Sequence, residues 1–307
     1  MTFTVNSSDQ AKTLRSLNRF SGVGDSSVAE INRFSRPTKV ISITSGKGGV
    51  GKTAVVANLG ISLARMGRRV LIIDADLGLA NIDVVYGLTP EYNLNHFFKG
   101  EVSLNDILVE GPSGVKILPA GSGLQQVTHL NSLQKIQFIE GLESLDEDFE
   151  IVLVDTEAGI SENVTYFNAA ANEILVIATS DPASITDAYT LMKLLSLEYQ
   201  QKKFHLVVNV VKDAEEGLDV FQKLTMVANR FLNISINYLG CIPFDKKMRE
   251  SLRRQKPIVE LLPDGRSSSA FETLAQCLVS LPVDMHLNGS LQFFWKKFLM
   301  VNEGGRV

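Results

Sequence analysis

Short apolar runs rich in β-branched residues alternate with longer helical patterns along most of this chain. The runs that predict strands are Val40–Ile43, Arg69–Asp74, Val115–Pro119, Ile151–Asp155, Glu173–Thr179, His205–Val211 and Tyr238–Ile242. The patterns that predict the main helices are Val55–Met66, Asn131–Leu145, Ser184–Tyr199, Gly217–Phe231 and Ser267–Leu281. This alternation predicts an α/β fold with a mostly parallel sheet of about seven or eight strands and helices on both faces.

A glycine-rich loop joins the first predicted strand to the first predicted helix. Residues Gly46–Thr53 match the P-loop pattern G-x-x-x-x-G-K-[ST]. In such a loop the glycines let consecutive backbone N–H groups face a phosphate, and the N-terminus of the following helix adds partial positive charge. The sequence therefore predicts a P-loop NTPase. The residues expected to contact the nucleotide are Gly46, Lys47, Gly48, Gly49, Val50, Gly51, Lys52, Thr53 and Ala54.

Acidic residues follow two of the predicted strands, at the edge where open α/β sheets bind ligands. Asp155 comes after four apolar residues, the Walker B arrangement, and is expected to hold a Mg²⁺ water. Asp74 and Asp76 end the second strand. Lys52 is expected to bridge the β- and γ-phosphates, and the Thr53 hydroxyl is expected to bind Mg²⁺. A nucleoside triphosphate and Mg²⁺ are thus the predicted ligands.

The loop also carries a second lysine, Lys47, which an ordinary P-loop does not need. The form K-G-G-x-G-K-T resembles the deviant Walker A motif of the ParA/MinD branch of P-loop ATPases. This resemblance implies an ATP-dependent homodimer in which Lys47 reaches the partner's nucleotide. It also implies that Asp76 orients the attacking water and that Asp74 reaches Mg²⁺ through a water. The catalytic candidates are then Lys47, Lys52 and Asp76, and the metal candidates are Thr53, Asp74 and Asp155.

Two later positions extend the resemblance, and one departs from it. Asn209 stands where the family places an amide that reads the adenine edge, and Pro243 lies in an I-P-x-D turn that packs under the base. Glu157 stands where relatives usually have a small residue. Because a carboxylate aimed at the γ-phosphate would repel it, we expect Glu157 to point to solvent or to a partner subunit.

A polar extension, residues 1–36, precedes the first strand. Within it, Ser7 and Gln10 have the spacing of a capping box, which predicts a short helix. The run from Asp9 resembles the D-Q-A-x-x-L-R element of the FlhG/FleN subfamily of MinD-like ATPases, and the resemblance implies that it stimulates a FlhF-type GTPase. The residues expected to contact this partner are Asp9, Gln10, Ala11, Leu14 and Arg15.

The last segment, residues 288–307, combines aromatic and basic residues. At 100° per residue most of its large apolar side chains share one helical face, which suits a membrane interface when lysines flank it. Phe293 and Met300 break this pattern, so the predicted helix is imperfectly amphipathic. The residues expected at the membrane are Leu291, Phe294, Trp295, Lys296, Lys297 and Phe298. The alternative is a C-terminal helix that docks on its own domain.

Composition and charge narrow the function classes. With 307 residues, 45% of them hydrophobic, the chain can form one large core, and a net charge of −4 argues against a general polyanion-binding protein. We read the basic residues Lys246–Lys256 as a solvated helix face and expect no direct DNA binding. The two cysteines, Cys241 and Cys277, match no iron–sulfur pattern and are expected to be buried and inert in a reducing cytosol.

These observations predict three regions: the extension 1–36, an ATPase domain 37–287 and the membrane-targeting helix 288–307. The resemblance implies Mg²⁺-dependent ATP hydrolysis that drives a monomer–dimer, cytosol–membrane switch regulating flagellar number, placement and gene expression. Further implied partners are flagellar C-ring proteins and an enhancer-binding transcription regulator. The implied location is the cytoplasm and the cytoplasmic face of the inner membrane, with the cell pole as one candidate site. The alternatives are a cell-division MinD ATPase, a ParA-like DNA partition ATPase and a metabolic P-loop enzyme such as an amidoligase.

Overall fold

The computed structural model describes residues 38–76, 81–121 and 132–282, which form an eight-stranded sheet with helices on both faces. The strands are β1 (Lys39–Ser45), β2 (Val70–Ala75), β3 (Val109–Glu110), β4 (Lys116–Leu118), β5 (Ile151–Ala158), β6 (Glu173–Ala178), β7 (Lys203–Val211) and β8 (Ser235–Pro243). Their order in the sheet is β3-β4-β2-β5-β1-β6-β7-β8, and only the β3–β4 pair is antiparallel. The predicted fold class is confirmed.

The helices of the described ranges lie between these strands or, for the last three, after β8. They are α1 (Lys52–Arg65), α2 (Ile82–Tyr86), α3 (Leu94–Phe98), α4 (Leu104–Ile107), α5 (Ser132–Glu143), α6 (Glu162–Ala170), α7 (Pro182–Glu198), α8 (Ala214–Phe231), α9 (Lys246–Arg253), α10 (Ile258–Leu261) and α11 (Arg266–Ser280). The apolar patterns located the longer helices to within a few residues. They missed α2, α3, α4 and α10, because a helix of four or five residues is too short to show a 3.6-residue period. They also missed α6, in which the polar residues Asn163, Thr165 and Asn168 are buried beside the apolar ones.

The central strands are buried on both faces. Every residue of β1 and of β2 is buried, which matches the continuous apolar runs of their sequences. On one face α1 and α11 pack together against the sheet, and the second face is covered by α5 and α6. Buried Lys39, the first residue of β1, connects this strand to the end of α11. Its Nζ donates to the carbonyl oxygens of Leu278 (3.0 Å) and Leu281 (2.7 Å).

Helix α5 is rotated relative to the sequence prediction. The apolar spacing within Asn131–Leu145 predicts that Leu133 and Ile136 face inward, but Leu133 is 78% exposed and Ile136 is 41% exposed. Phe138 and Lys135 are buried in their place. The stem of a lysine packs well on apolar surface, and Lys135 Nζ lies 3.9 Å from the centre of the Tyr166 ring. Burial of the large Phe138 ring and the cation–π contact of Lys135 therefore determine which face of α5 packs against the core.

Two smaller expectations were also wrong. Met66 was taken as the last inward residue of the first helix, but α1 ends at Arg65 and Met66 is exposed. The free cysteines Cys241 and Cys277 are half-buried rather than buried, because one lies on the edge strand β8 and the other near the end of α11.

The predicted partner-binding residues Asp9–Arg15 and the predicted membrane helix, residues 288–307, lie outside the described residues. Within residues 38–76, 81–121 and 132–282, the structure has no helix with both the length and the apolar character needed to cross a bilayer.

Candidate functional site

A cavity of about 710 Å³ opens at the carboxyl edge of β1, β2 and β5. Its floor and walls come from the P-loop, the segments after β2 and β5, and α9. The lining residues are Ser45, Gly48, Gly49, Val50, Gly51, Lys52, Thr53, Ala54, Asp76, Asn81, Val84, Val85, Glu157, Ala158 and Leu252. The structure thus brings most of the predicted P-loop residues and Asp76 together in one site.

The P-loop has the backbone geometry of an anion site. Gly49 and Gly51 have φ values of +77° and +89°, a region that favours glycine. Helix α1 begins at Lys52 with no side-chain cap and no acidic residue in its first turn. Its N-terminal N–H groups and the helix dipole therefore favour a bound phosphate, as the sequence predicted.

Gly46 has a different physical role from the rest of the loop. A Cβ atom at Gly46 would lie 2.2 Å from the backbone carbonyl carbon and oxygen of Asp187 in α7. The glycine is thus required for close packing of the loop on α7. Gly46 does not line the cavity, so its predicted contact with the nucleotide stays a prediction.

Lys52 and Asp155 form a buried ion pair at the base of the cavity, with 2.8 Å between Lys52 Nζ and Asp155 Oδ1. Thr53 is also hydrogen-bonded to Asp155. Burial raises the pKa of Asp155 above its ordinary value, and the Lys52 charge opposes part of this effect. The pair therefore depends on both partners, because either charge alone would be costly to bury.

This donor set fits a magnesium nucleotide. Among the described residues there is no group of three or more His, Cys, Asp or Glu side chains that could hold a metal. Mg²⁺ commonly binds through one or two protein oxygens, waters and substrate phosphates. Thr53 and Asp155, adjacent to the phosphate loop, supply protein oxygens of this kind.

Asp74 is buried beneath the cavity and braces the backbone after β2. Its Oδ1 accepts a hydrogen bond from the N–H of Asp76 (3.1 Å), and its Oδ2 accepts from the N–H groups of Asn81 (3.0 Å) and Ile82 (3.2 Å). Burial and the neighbouring Asp155 carboxylate raise the pKa of Asp74. Asp74 is therefore a structural support for the loop that carries Asp76, and its predicted metal contact stays a prediction.

Lys47 lies outside the cavity and contacts α7 of its own chain. Its ammonium group forms an ion pair with the carboxylate of Asp181, the residue before α7. The side chains of Lys47 and Asp181 are 41% and 46% exposed. The hydrogen bond from Lys47 lowers the pKa of Asp181. Lys47 is thus held at the surface, beside the nucleotide site.

The two residues predicted to contact the base do not line the cavity, although both are described. The Asn209 side chain donates to the carbonyl oxygen of Val50, at 2.8 Å, from the end of β7. Pro243 ends β8 and is paired with Val211. Their predicted contact with adenine stays a prediction.

Glu157 lines the cavity, and its expected orientation toward solvent or a partner subunit stays a prediction. Its side chain is half-buried and accepts a hydrogen bond from the hydroxyl of Ser161, the N-cap residue of α6, at 3.3 Å. Glu157 is the next-to-last residue of β5, so the end of this strand places it at the cavity wall.

Sequence reasoning missed an apolar side of the cavity. Val84 and Val85 come from α2, and Leu252 comes from α9. No motif marks these residues, and α9 was interpreted only as a basic helix. Asn81 also lines the cavity, although no sequence motif assigned it to the site.

The comparisons with known proteins agree with this geometry. The AAA domain family matches residues 38–208. The antiactivator FleN of Pseudomonas aeruginosa is 41% identical over 86% of this chain and 94% of its own length. The chain belongs to the FleN/FlhG group of MinD/ParA-like ATPases. The flagellum site-determining protein YlxH of Helicobacter pylori is 34% identical over 79% of this chain and 82% of its own length.

Solved structures of MinD proteins share the fold of this FleN/FlhG-type ATPase. The MinC:MinD cell division complex of Aquifex aeolicus matches with a TM-score of 0.63 and 28% identity, covering 80% of this chain and 99% of that chain. MinD of Pyrococcus horikoshii, complexed with Mg-ADP, matches with a TM-score of 0.63 and 26% identity, covering 80% and 97%. The protein is therefore an ATPase of the P-loop class.

Proposed function

We propose that this protein hydrolyses ATP in a Mg²⁺-dependent cycle and that its ATP-bound dimer regulates the number and placement of flagella. The observation that carries this proposal is the presence of Lys47, Lys52 and Asp155 around one P-loop in a chain that is 41% identical to FleN. The name of the relative YlxH, a flagellum site-determining protein, supports the flagellar role.

Each residue of the cavity would have its own role in the hydrolysis of ATP by water to ADP and phosphate. Lys52 would leave Asp155 to hold the β- and γ-phosphates, while the P-loop N–H groups fix their position. Thr53 and Asp155 would hold Mg²⁺ and its water shell, which neutralises the developing phosphate charge. Asp76, on the cavity wall, would orient the attacking water. Glu157 adds negative charge near the γ-phosphate and is expected to slow hydrolysis.

Lys47 would act on a second copy of the chain. It lies at the surface next to the cavity, and its flexible stem can exchange Asp181 for a phosphate across a dimer interface. ATP would then favour the dimer, because each nucleotide is contacted by both subunits. Hydrolysis would remove that contact and release the monomers.

The dimer would bind other proteins and the inner membrane. We propose that residues 9–15 stimulate a FlhF-type GTPase and that other surfaces bind C-ring proteins and an enhancer-binding regulator. The name antiactivator, given to FleN, supports a regulator as partner. Two C-terminal helices on one dimer would bind the inner membrane together, with affinity raised by roughly 10²-fold or more over one helix. ADP-bound monomers would return to the cytoplasm.

Size-exclusion chromatography with light scattering tests this cycle. Wild-type protein should be monomeric with ADP and dimeric with ATP and Mg²⁺. Asp76→Ala should remain dimeric with ATP because water attack is impaired, and Lys47→Ala should lose the dimer. Lys203→Ala, which removes an exposed lysine at the start of β7, is the matched control. A monomeric Asp76→Ala protein in saturating ATP would exclude the proposed switch.

A second candidate is a cell-division role. A putative septum site-determining MinD of Mesostigma viride is 35% identical over 80% of this chain. An assay of a FlhF-type GTPase separates the two roles: Arg15→Glu should abolish stimulation if the flagellar role is correct. The structure gives DNA partition less support, since Lys247 and Arg254 of the basic helix are paired with Glu250.

A further inference from the structure

The end of β7 is joined to the P-loop by one side-chain amide. Asn209 is buried, with 7% of its side chain exposed, and its Nδ2 donates to the carbonyl oxygen of Val50 at 2.8 Å. The contact leaves little space, because a Cβ atom at the next loop residue, Gly51, would lie 2.5 Å from Nδ2. The amide therefore packs directly against the turn that leads into α1.

The other half of the amide is fixed by its own strand. Asn209 Oδ1 accepts a hydrogen bond from the N–H of Val210 at 2.9 Å. Val210 has a φ of +62°, which is strained for a β-branched residue, and its side chain is 47% exposed. The register with β8 shifts between Asn209 and Val211, so this residue is a bulge in the ladder. The bulge and the hydrogen bond together direct Nδ2 at the loop.

Val50 and Gly51 line the cavity, whereas Asn209 reaches it only through them. We propose that Asn209 is a positioning residue for the phosphate loop: its amide holds the Val50–Gly51 peptide so that the loop N–H groups face the phosphates. This inference rests on the proposed ATP-binding function. It assigns to Asn209 an effect on the triphosphate, independent of the base.

The chemistry of the side chain explains the choice of an amide. Donation to a buried carbonyl requires an N–H group, and acceptance from Val210 requires an oxygen on the same short stem. Aspartate keeps the oxygen but cannot donate when ionised. Loss of the donor leaves the Val50 carbonyl oxygen without its partner and loosens the loop, so we expect triphosphate affinity to fall about 3- to 10-fold.

The first experiment measures binding of ATP, GTP and inorganic tripolyphosphate by calorimetry with Mg²⁺. Asn209→Ala and Asn209→Asp should weaken binding of tripolyphosphate, which has no base, as well as binding of ATP and GTP. If ATP binding weakens while tripolyphosphate binding does not, Asn209 reads the base and the inference is overturned.

Val210→Gly is the matched control, because it alters the same bulge and relieves the positive φ but keeps the amide. It should bind tripolyphosphate as the wild type does, with an equal or higher melting temperature. Equal losses in Val210→Gly and Asn209→Ala would mean that any disturbance of the strand end has this effect, which would also overturn the inference.

Hydrogen exchange separates this inference from the proposed function. In protein without nucleotide, exchange of the amides in Gly46–Ala54 should be faster in Asn209→Ala than in the wild type and unchanged in Val210→Gly. Unchanged exchange in Asn209→Ala overturns the positioning role even if ATP binds. Faster exchange in a protein that binds no triphosphate supports the positioning role and overturns the proposed function.

Discussion

Lys47 has a competing partner within its own chain. The ion pair with Asp181 must break before the lysine can reach a nucleotide on a second copy. Both side chains are nearly half exposed, so the pair is weak and is further weakened by salt. If the proposed dimer forms, this pair would favour the monomer without blocking the dimer.

Removing this competitor should favour the dimer. Asp181→Asn keeps an N-cap residue before α7 but loses the charge, so the ATP concentration at half-maximal dimerisation should fall about two- to fivefold at low salt. Light scattering over an ATP titration measures this midpoint for the variant and the wild type. The difference between the two midpoints should shrink at about 0.5 M salt, because the Debye length is then only a few ångströms and exposed ion pairs are screened. A higher midpoint for Asp181→Asn would show that Asp181 assists the dimer.

Lys135 gives a pH dependence with a defined sign. Burial lowers the pKa of this lysine below its ordinary value of 10.5. The folded state therefore binds the proton less tightly than the unfolded chain, and the resulting cost is present at neutral pH and disappears as pH rises toward 10.5. The cost is partly offset by the contact with the Tyr166 ring.

Lys135→Met, which keeps the stem but not the charge, isolates this effect. The free energy of unfolding of the wild type should rise relative to that of Lys135→Met between pH 7 and about pH 10. Urea denaturation at several pH values measures the difference. A difference that stays constant with pH would show that the lysine is not desolvated.

At the scale of elements, the P-loop and α7 act as one packed unit. Gly46 meets the backbone of Asp187, and Lys47 meets Asp181 at the start of the same helix. Movement of α7 would therefore displace the loop. This contact links the nucleotide site to the helix surface that a partner subunit could touch.

Gly46→Ala tests that packing, with Gly48→Ala as the matched control. The new methyl group at position 46 would overlap backbone atoms that cannot rotate away, so the free energy of unfolding should fall by about 1–3 kcal/mol. A Cβ atom at Gly48 meets nothing within 4 Å, so Gly48→Ala should unfold as the wild type does. Urea denaturation compares them, and equal stabilities would contradict the close packing.

At the scale of the whole molecule, the proposed attachment to a membrane would depend on how many C-terminal segments bind at once. One short helix binds weakly, and each lysine near anionic lipid adds roughly 1 kcal/mol. The proposed dimer would carry two such segments, so we expect ATP to increase membrane binding more than any single contact does. Membrane attachment would then follow the nucleotide state.

Changing Lys296 and Lys297 together to glutamine should weaken binding of the ATP form to anionic liposomes at least tenfold. The reason is that each lysine contributes roughly 1 kcal/mol to binding of anionic lipid. Co-sedimentation measures the affinity, and the double change of Lys246 and Lys247 on α9 is the control. Equal liposome binding of the wild type with ADP and with ATP would rule out a membrane switch driven by the dimer.

Much of the fold and part of the site were predictable. The strand–loop–helix order around Gly46–Thr53 and the run before Asp155 predicted an α/β P-loop fold, and the sheet confirms it. The edge strand β3, the buried face of α5 and the apolar wall formed by α2 and α9 were not predicted. A two-residue strand has no period to detect, and two helix faces of similar polarity are distinguished only by what they pack against.

The sequence by itself determined the class of chemistry, because a phosphate loop is encoded by residues that are neighbours in the chain. Tertiary structure decided the partners of the side chains around that loop. Lys52 meets Asp155, Lys47 meets Asp181 and Asn209 meets Val50 across 103, 134 and 159 positions. Such contacts depend on which strands lie side by side and on where each strand ends, and no local spacing encodes either.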